Sequence, residues 1–453
     1  MGAWRWYRTR RRLRTHRIWR LPVGLLVVSL FLSWLLPLLD REVTRFGHDT
    51  GEHLFAKIDA GSMATLLGSV AGGMVTLAGL VFTALTLAMQ FGAGQLSVRV
   101  VPLLQQDPLM RWATGTFMAT FVYTLMISVR LAVHEEDYRP VLSTLFAVVI
   151  SMVCAVLFFA LVARVSGVLN SGALLRTVAL EGRRTVARTH PYRTPAGPHG
   201  AAAVPGAKAP GAVEPTVLCL DRPPRSGQIL LAFHTERLER LARVWGVRIE
   251  LVPVVGDFVA LQAPLFLVRG PMDRVRRPAL LRCLLFGETH SSTVDPAGAL
   301  RTLVDIALKA LSPAVNDPGR AVQAVDHIED LLTELAPRLA AVPGAGEGAA
   351  FSHRTRSWAD YVCIGTDEIR HFGATSMQVQ RRLRALYTTV ALVCTPEQTA
   401  PLTARLATMD AEVDGQWPQE LDRYLAHRPD SQGLGREDGS ELRVKPGGPP
   451  DAG

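Results

Sequence analysis

The sequence predicts an α-helical membrane domain with four transmembrane helices, followed by a cytosolic α+β domain. Three observations carry that prediction. Residues 61–98 hold no ionisable side chain, and three more apolar runs of spanning length lie around them. Arginines collect on one side of these runs, as the positive-inside rule requires of short loops. Beyond residue 216 the pattern changes to short alternating runs and then to amphipathic helices.

The elements follow in order. Met1–Arg20 contains eight arginines and no acid, and forms a basic cytoplasmic N-terminus (residues 1–20). The membrane domain covers residues 21–164. Span one is Val23–Leu39, with no small-residue cleavage site after it, so it is a retained anchor. Asp40–Ala60 is an outside loop. Span two is the long run: Ser62–Phe91 as a helix measures about 45 Å against a hydrocarbon core of about 30 Å, so it tilts or protrudes.

Thr65, Gly68, Gly72, Thr76, Gly79, Thr83, Thr86 and Gln90 recur every three or four residues and share one face of that helix. Leu67, Val70, Met74, Leu77, Val81, Leu85 and Ala88 form the opposite, greasy face, expected toward lipid. Span three, Trp112–Val129, carries a second small-polar row, Thr116, Thr120, Thr124 and Ser128, expected to partner the first. An acidic outside hairpin follows at Arg130–Arg139. Span four is Pro140–Ala163, with no comparable stripe, and the arginines after it place its exit and both termini in the cytoplasm.

Residues 165–215 are a juxtamembrane segment and a Pro/Ala/Gly-rich linker. Residues 216–298 form a small α+β module: strand Ile229–Phe233, a helix over Glu236–Trp245 capped by Thr235 and closed by Gly246, strand Val247–Leu251, a Gly256-Asp257 turn into Phe258-Val259-Ala260, and strand Leu265–Val268. Residues 299–425 are helical, with helices at Ala299–Leu311, Pro318–Leu335, Arg356–Phe372, Met377–Leu392 and Glu397–Ala411. Val342–Gly348 lacks the spacing of a nucleotide loop. Residues 426–453 are a disordered tail.

Charge and composition exclude several functions. The net charge is +9, but the residues after Arg20 carry 41 basic against 40 acidic side chains, so the body of the chain is no nucleic-acid binder. Five scattered cysteines form no disulfide framework or zinc site. We find no catalytic motif and expect no enzyme, no cofactor and no metal; the cluster Asp326, His327, Glu329 and Asp330 reads as a solvated helix face. The spans hold no charged residue, which argues against a proton-coupled pump.

The distinctive run is Asp305–Ala321, DIALKALSPAVNDPGRA. Pro313 stops one helix, and Asp317-Pro318 supplies a cap and a first-turn proline for the next. Here the chain resembles an uncharacterised bacterial family of predicted membrane proteins, domain of unknown function 2254, whose corner motif D-I-A-x-x-A-L-S-P-x-x-N-D-P matches Asp305–Pro318. The resemblance extends to Gln90-Phe91, Ser97, Arg99, Asp107, Gly115, Phe117, Phe121-Val122-Tyr123 and the Gly256–Val259 turn. It departs at Val98, where the family has proline, and at His290–Asp295, where the family has an Arg-Thr…Gln-Asp pattern. The resemblance implies a bacterial cytoplasmic (inner) membrane location and this architecture, but no activity.

Two readings of the span-two stripe follow. Small residues at this spacing let helix backbones approach closely; the same face around a lumen would line a water-filled path. We expect a homo-oligomeric, channel-like or sensor protein with a cytosolic regulatory domain, and hold a membrane-anchored scaffold without a pore as the alternative. At the corner, Asp317 is expected to cap the helix beginning at Pro318. The alternative there is a polar pocket of Ser312, Asn316, Asp317 and Arg320 for a small anionic ligand.

Overall fold

The computed structural model describes residues 20–46, 60–91, 108–133, 140–169, 171–191, 214–224, 227–288, 295–340 and 349–433. The basic N-terminus, the loops after spans one to three, most of the Pro/Ala/Gly-rich linker, His290–Val294 and Val342–Gly348 lie outside these residues. The chain divides into two compact units, one ending at Leu174 and one starting at Leu175.

The first unit holds four helices long and apolar enough to cross a membrane. They are α1 (Arg20–Phe46), α2 (Ala60–Phe91), α3 (Pro108–Val133) and α4 (Val141–Leu169). Each outruns its predicted span. The largest difference is in α1, which continues through Pro37 to Phe46, so Asp40 belongs to a helix and not to a loop. α3 packs against each of the other three.

Two apolar clusters hold the unit together. Met74 and Val81 of α2 meet Met110, Ala113 and Phe117 of α3 and Cys154 and Leu161 of α4. Leu36, Leu67, Tyr123, Ile127 and Ala147 form the other. α1 and α3 approach closely at Gly115, where an added Cβ would lie 2.8 Å from Leu25 Cδ1 and 3.0 Å from Pro22 Cα. Ser29 Oγ donates to the Ala119 carbonyl at 2.6 Å in the same contact.

α5 (Ser171–Thr189), which forms the juxtamembrane segment and lies mostly in the second unit, follows α4 after one residue. Its Leu175, Val178, Ala179 and Val186 are buried. A mixed four-stranded sheet follows, in the order β1 (Thr216–Cys219), β4 (Pro264–Arg269), β3 (Arg248–Leu251), β6 (Phe351–His353). β1 and β3 run antiparallel to β4, and β6 runs parallel to β3. A two-stranded sheet pairs β2 (Ile229–Phe233) with β5 (Leu284–Gly287). Leu238, Ala242 and Trp245 of α6 (Thr235–Trp245) cover Ile249, Leu251, Phe266 and Val268 of the larger sheet. Gly246 closes α6 at φ 68°, as the sequence indicates.

Here the sequence reading needs four corrections. His234, not Thr235, caps α6, its Nδ1 accepting from Arg237 N at 3.3 Å. Phe258–Ala260 contributes one bridge, Ile229 to Phe258, instead of a strand. β1, β5, β6 and the short helix α7 (Arg277–Leu281) were not anticipated. Because β6 comes from beyond residue 299, the α+β module and the helical region share one sheet.

The remaining helices are α8 (Pro296–Leu311), α9 (Pro318–Ala340), α10 (Trp358–Phe372), α11 (Met377–Ala391), α12 (Pro396–Gln416) and α13 (Glu420–Ala426). α8 is the centre, with Leu300, Leu303, Val304, Ile306 and Ala307 buried. The described part of the supposed tail is ordered: Asp430 is buried, its amide donates to Arg381 O, and Arg381 Nε donates to Arg428 O at 3.2 Å.

Candidate functional site

The small-residue stripe of α2 points away from the first unit, the reverse of the expected arrangement. Its greasy face is the packed one: Met63, Leu67, Met74 and Val81 are buried. Thr65, Gly68, Gly72, Thr76, Gly79, Thr83 and Gln90 are exposed, and Thr86 is half-buried. A Cβ added at Gly68, Gly72 or Gly79 would meet nothing within 4 Å. The hydroxyls bond back along their own helix, Thr65 to Gly61 O at 2.9 Å, Thr76 to Gly72 O at 3.0 Å and Thr83 to Gly79 O at 2.9 Å.

The row on α3 does not meet this stripe. Thr120 and Thr124 are fully buried, and Thr120 Oγ1 lies 3.3 Å from Cys154 Sγ of α4. Thr116 and Ser128 are half-buried. The row therefore packs inside the unit, and α4, whose buried Ser143, Ala147, Cys154 and Leu161 form one side, is not purely a lipid-facing helix.

The corner between α8 and α9 is closed on itself. Asp317 Oδ1 accepts from Arg320 N at 3.0 Å, the expected cap. Arg320 Nη2 folds back to Asp317 Oδ2 at 3.2 Å, while its Nε and Nη1 are enclosed without a hydrogen-bond partner among the described residues. Ser312 Oγ donates to Lys309 O at 2.7 Å, and its carbonyl accepts from Asn316 N at 2.9 Å. Asn316 turns the chain at φ 45°, a conformation that asparagine tolerates better than most residues. The four residues are together, but the capping aspartate already neutralises the arginine.

Two polar centres were missed from sequence. Arg356 joins the sheet to the helices: it reaches Val255 O at 3.1 Å, Asp257 at 3.6 Å and Asp295 at 3.4 Å. Asp295 caps α8, accepting from Ala297 N at 3.1 Å. Burial pushes its pKa up, against the opposing pull of Arg356. Burial, then the Asp295 charge, raises the phenol of neighbouring Tyr361 as well.

The second centre is a row of buried arginines on α11. Arg382 bonds Asp326 at 2.7 Å and Glu329 at 2.6 Å, and Arg384 bonds Asp410. Burial opposes the charge on Arg382, but Glu329 and Asp326 outweigh it and raise its pKa. Asp330 and Glu334 hold Arg183 of α5 at 3.2 and 3.0 Å, so the acidic run on α9, with Asp326 still exposed and Asp330 half-buried, also binds arginines. His327 of that run is half-buried, and burial lowers its pKa. The sequence signals were present in Asp295-Pro296, a repeat of the Asp317-Pro318 start, and in arginines at core positions of an amphipathic helix.

The family model for a predicted membrane protein, DUF2254, matches residues 15–389. The chain belongs to this family. Uncharacterised proteins of Mycobacterium tuberculosis and Mycobacterium bovis are similar to it, each 25% identical over 382 residues that cover 79% of this chain and 69% of theirs. No solved structure matches.

Proposed function

We propose that this family member is a homo-oligomeric, channel-like protein of the bacterial cytoplasmic membrane, in which α2 helices from several copies face one another. The outward Gly/Thr stripe of α2 carries this reading. Glycines at 68, 72 and 79 leave open space on the first unit, and small residues are what close helix–helix contact in lipid requires. With the arginine-rich N-terminus inside, both termini and the second unit are cytoplasmic. α5 supports a regulatory role for that unit. It follows α4 after one residue and is fixed to α8 and α9, where a Cβ on Gly182 would lie 2.9 Å from Ala299 Cβ.

A non-conducting scaffold is the second reading, favoured by the hydroxyls of Thr65, Thr76 and Thr83, which are satisfied along their own helix and need no water. Cysteines placed at Gly72 and Gly79 should crosslink between copies in native membranes, and reconstituted protein should conduct. Gly72→Leu should abolish conductance and the crosslink through position 79. Crosslinking without conductance leaves the scaffold, and the absence of both would overturn the oligomer. Turnover of a substrate by the purified protein would overturn the non-enzymatic assignment.

A further inference from the structure

The Gly256–Val259 turn is a motif that neither the stripe nor the corner explains. Hydrogen bonds frame it on both sides: Gly256 N to Leu230 O at 2.7 Å, Leu230 N to Asp257 O at 2.9 Å, Val259 N to Gln228 O at 2.8 Å and Gln262 N to Leu220 O at 2.9 Å. Gly256 at φ 97° and Gln262 at φ 65° turn the chain at its two ends. Inside this frame Val259 is core, 2% exposed, while Phe258 is 65% and Leu261 49% exposed. Ala260 between them is exposed too. A scattered surface leucine needs no explanation, but a rigid turn that sinks a valine and holds a phenylalanine and a leucine outward presents an apolar tip.

Basic residues flank it. Leu220 exchanges backbone bonds with both Gln262 and Ala263, and exposed Arg222 lies two residues beyond it in the chain, after exposed Asp221. Arg277 pairs with Asp221 of the same segment, and its neighbour Arg276 is exposed. We propose that this tip docks on the bilayer: Phe258 and Leu261 enter the interfacial layer while Arg222 and Arg276 meet anionic headgroups. The chain's own anchorage argues for lipid as the occupant. The second unit begins at Leu175, six residues after α4 ends at Leu169, so it is tethered to the membrane that the first unit spans. At such effective concentration, two apolar side chains with a basic flank suffice where either alone would be marginal. The inference needs the spans but not the stripe, so it stands or falls apart from the proposed oligomer.

The test uses the full chain in vesicles of phosphatidylcholine and phosphatidylglycerol carrying a photoreactive headgroup-proximal lipid. Trypsin releases the tip as one peptide, Ile249–Arg269, bounded by Arg248 and Arg269. Carbene labelling is expected at Phe258–Leu261 and not on the peptide containing Val244, whose side chain is equally open. The double variant Phe258→Ser/Leu261→Ser should lower labelling several-fold with an unchanged melting temperature, since neither side chain is in the core. Arg222→Glu/Arg276→Glu should lower it only when phosphatidylglycerol is present. An unlabelled Ile249–Arg269 beside labelled spans overturns docking, as does equal labelling of the apolar double variant. A Phe258→Cys variant that crosslinks to another copy, beside an unlabelled parent peptide, would show a protein contact and overturn it equally.

Discussion

The carboxylate of Asp40, near the end of α1, caps α4. It accepts from Leu142 N at 2.7 Å, Ser143 N at 3.1 Å and Ser143 Oγ at 2.5 Å, and is 2% exposed. The free amides of a helix start need acceptors, and a negative charge suits the positive end of its dipole. Tyr123 OH completes the joint by donating to Ser143 O at 3.0 Å. Asp40→Ala should therefore destabilise the solubilised protein by about 1–3 kcal/mol, the cost of orphaned buried amides. Asp40→Asn, which still accepts, should cost less. Equal unfolding midpoints for Asp40→Ala and the parent in a denaturant titration would contradict the joint.

Glycines predict opposite outcomes on two helices. Gly115→Leu must drive its side chain into Pro22 and Leu25, so we expect about 1–3 kcal/mol of lost stability or more. Gly72→Leu meets nothing in its own unit and should leave the monomer's stability unchanged while weakening association. Thermal unfolding separates the two; a destabilised Gly72→Leu monomer would mean that α2 packs inward.

Helix positions were largely legible because their signals are local. Apolar length marks the spans, and Asp317-Pro318 marks the start of α9. Facing was not legible. Stripe and greasy face are both compatible with burial in lipid, where packing of large side chains such as Met74 and Phe117 holds helices together as well as small ones do. β6 was hidden because three residues, Phe351–His353, carry no usable alternation; its partner Ile249 lies about a hundred residues away, and only tertiary pairing makes it a strand. The arginine centres were hidden for a related reason. Arg382 reads as surface until Asp326 and Glu329, on another helix, are known to face it.

Arg382→Met tests that burial. The substitution leaves Asp326 and the less exposed Glu329 without their cation and should cost about 1–3 kcal/mol, since the carboxylates left behind keep some solvent. The triple variant Arg382→Met/Asp326→Leu/Glu329→Leu should recover much of the loss. Melting curves that do not distinguish single from triple variant would place these charges in solvent.

Two mutations divide the readings of the corner. Asp317→Ala removes the acceptor of Arg320 N and should cost about 0.5–2 kcal/mol. Arg320→Ala should also destabilise, because its guanidinium is enclosed against Asp317. If instead Arg320→Ala leaves the melting temperature alone and removes a stabilisation by added anionic metabolites, an anion site exists there.

The last prediction concerns pH. Asp295 has a native pKa raised from 3.8 by burial, with Arg356 only partly offsetting it. A carboxyl whose folded pKa exceeds its unfolded one binds its proton more tightly when folded. Its stabilising contribution is thus complete below the ordinary carboxylate value and is lost as pH rises through the raised native value. Asp295→Asn keeps a side chain that caps helices well and abolishes the titration. The stability of the parent minus that of Asp295→Asn should therefore fall as pH is raised above the ordinary carboxylate value and level off above the raised native one. Arg356→Gln removes the charge that favours the ionised form, so it should raise the native pKa further and move the fall to higher pH. A difference between parent and Asp295→Asn that grows with pH would mean that Arg356 outweighs burial, making Asp295 an ordinary ion-paired carboxylate at the start of α8.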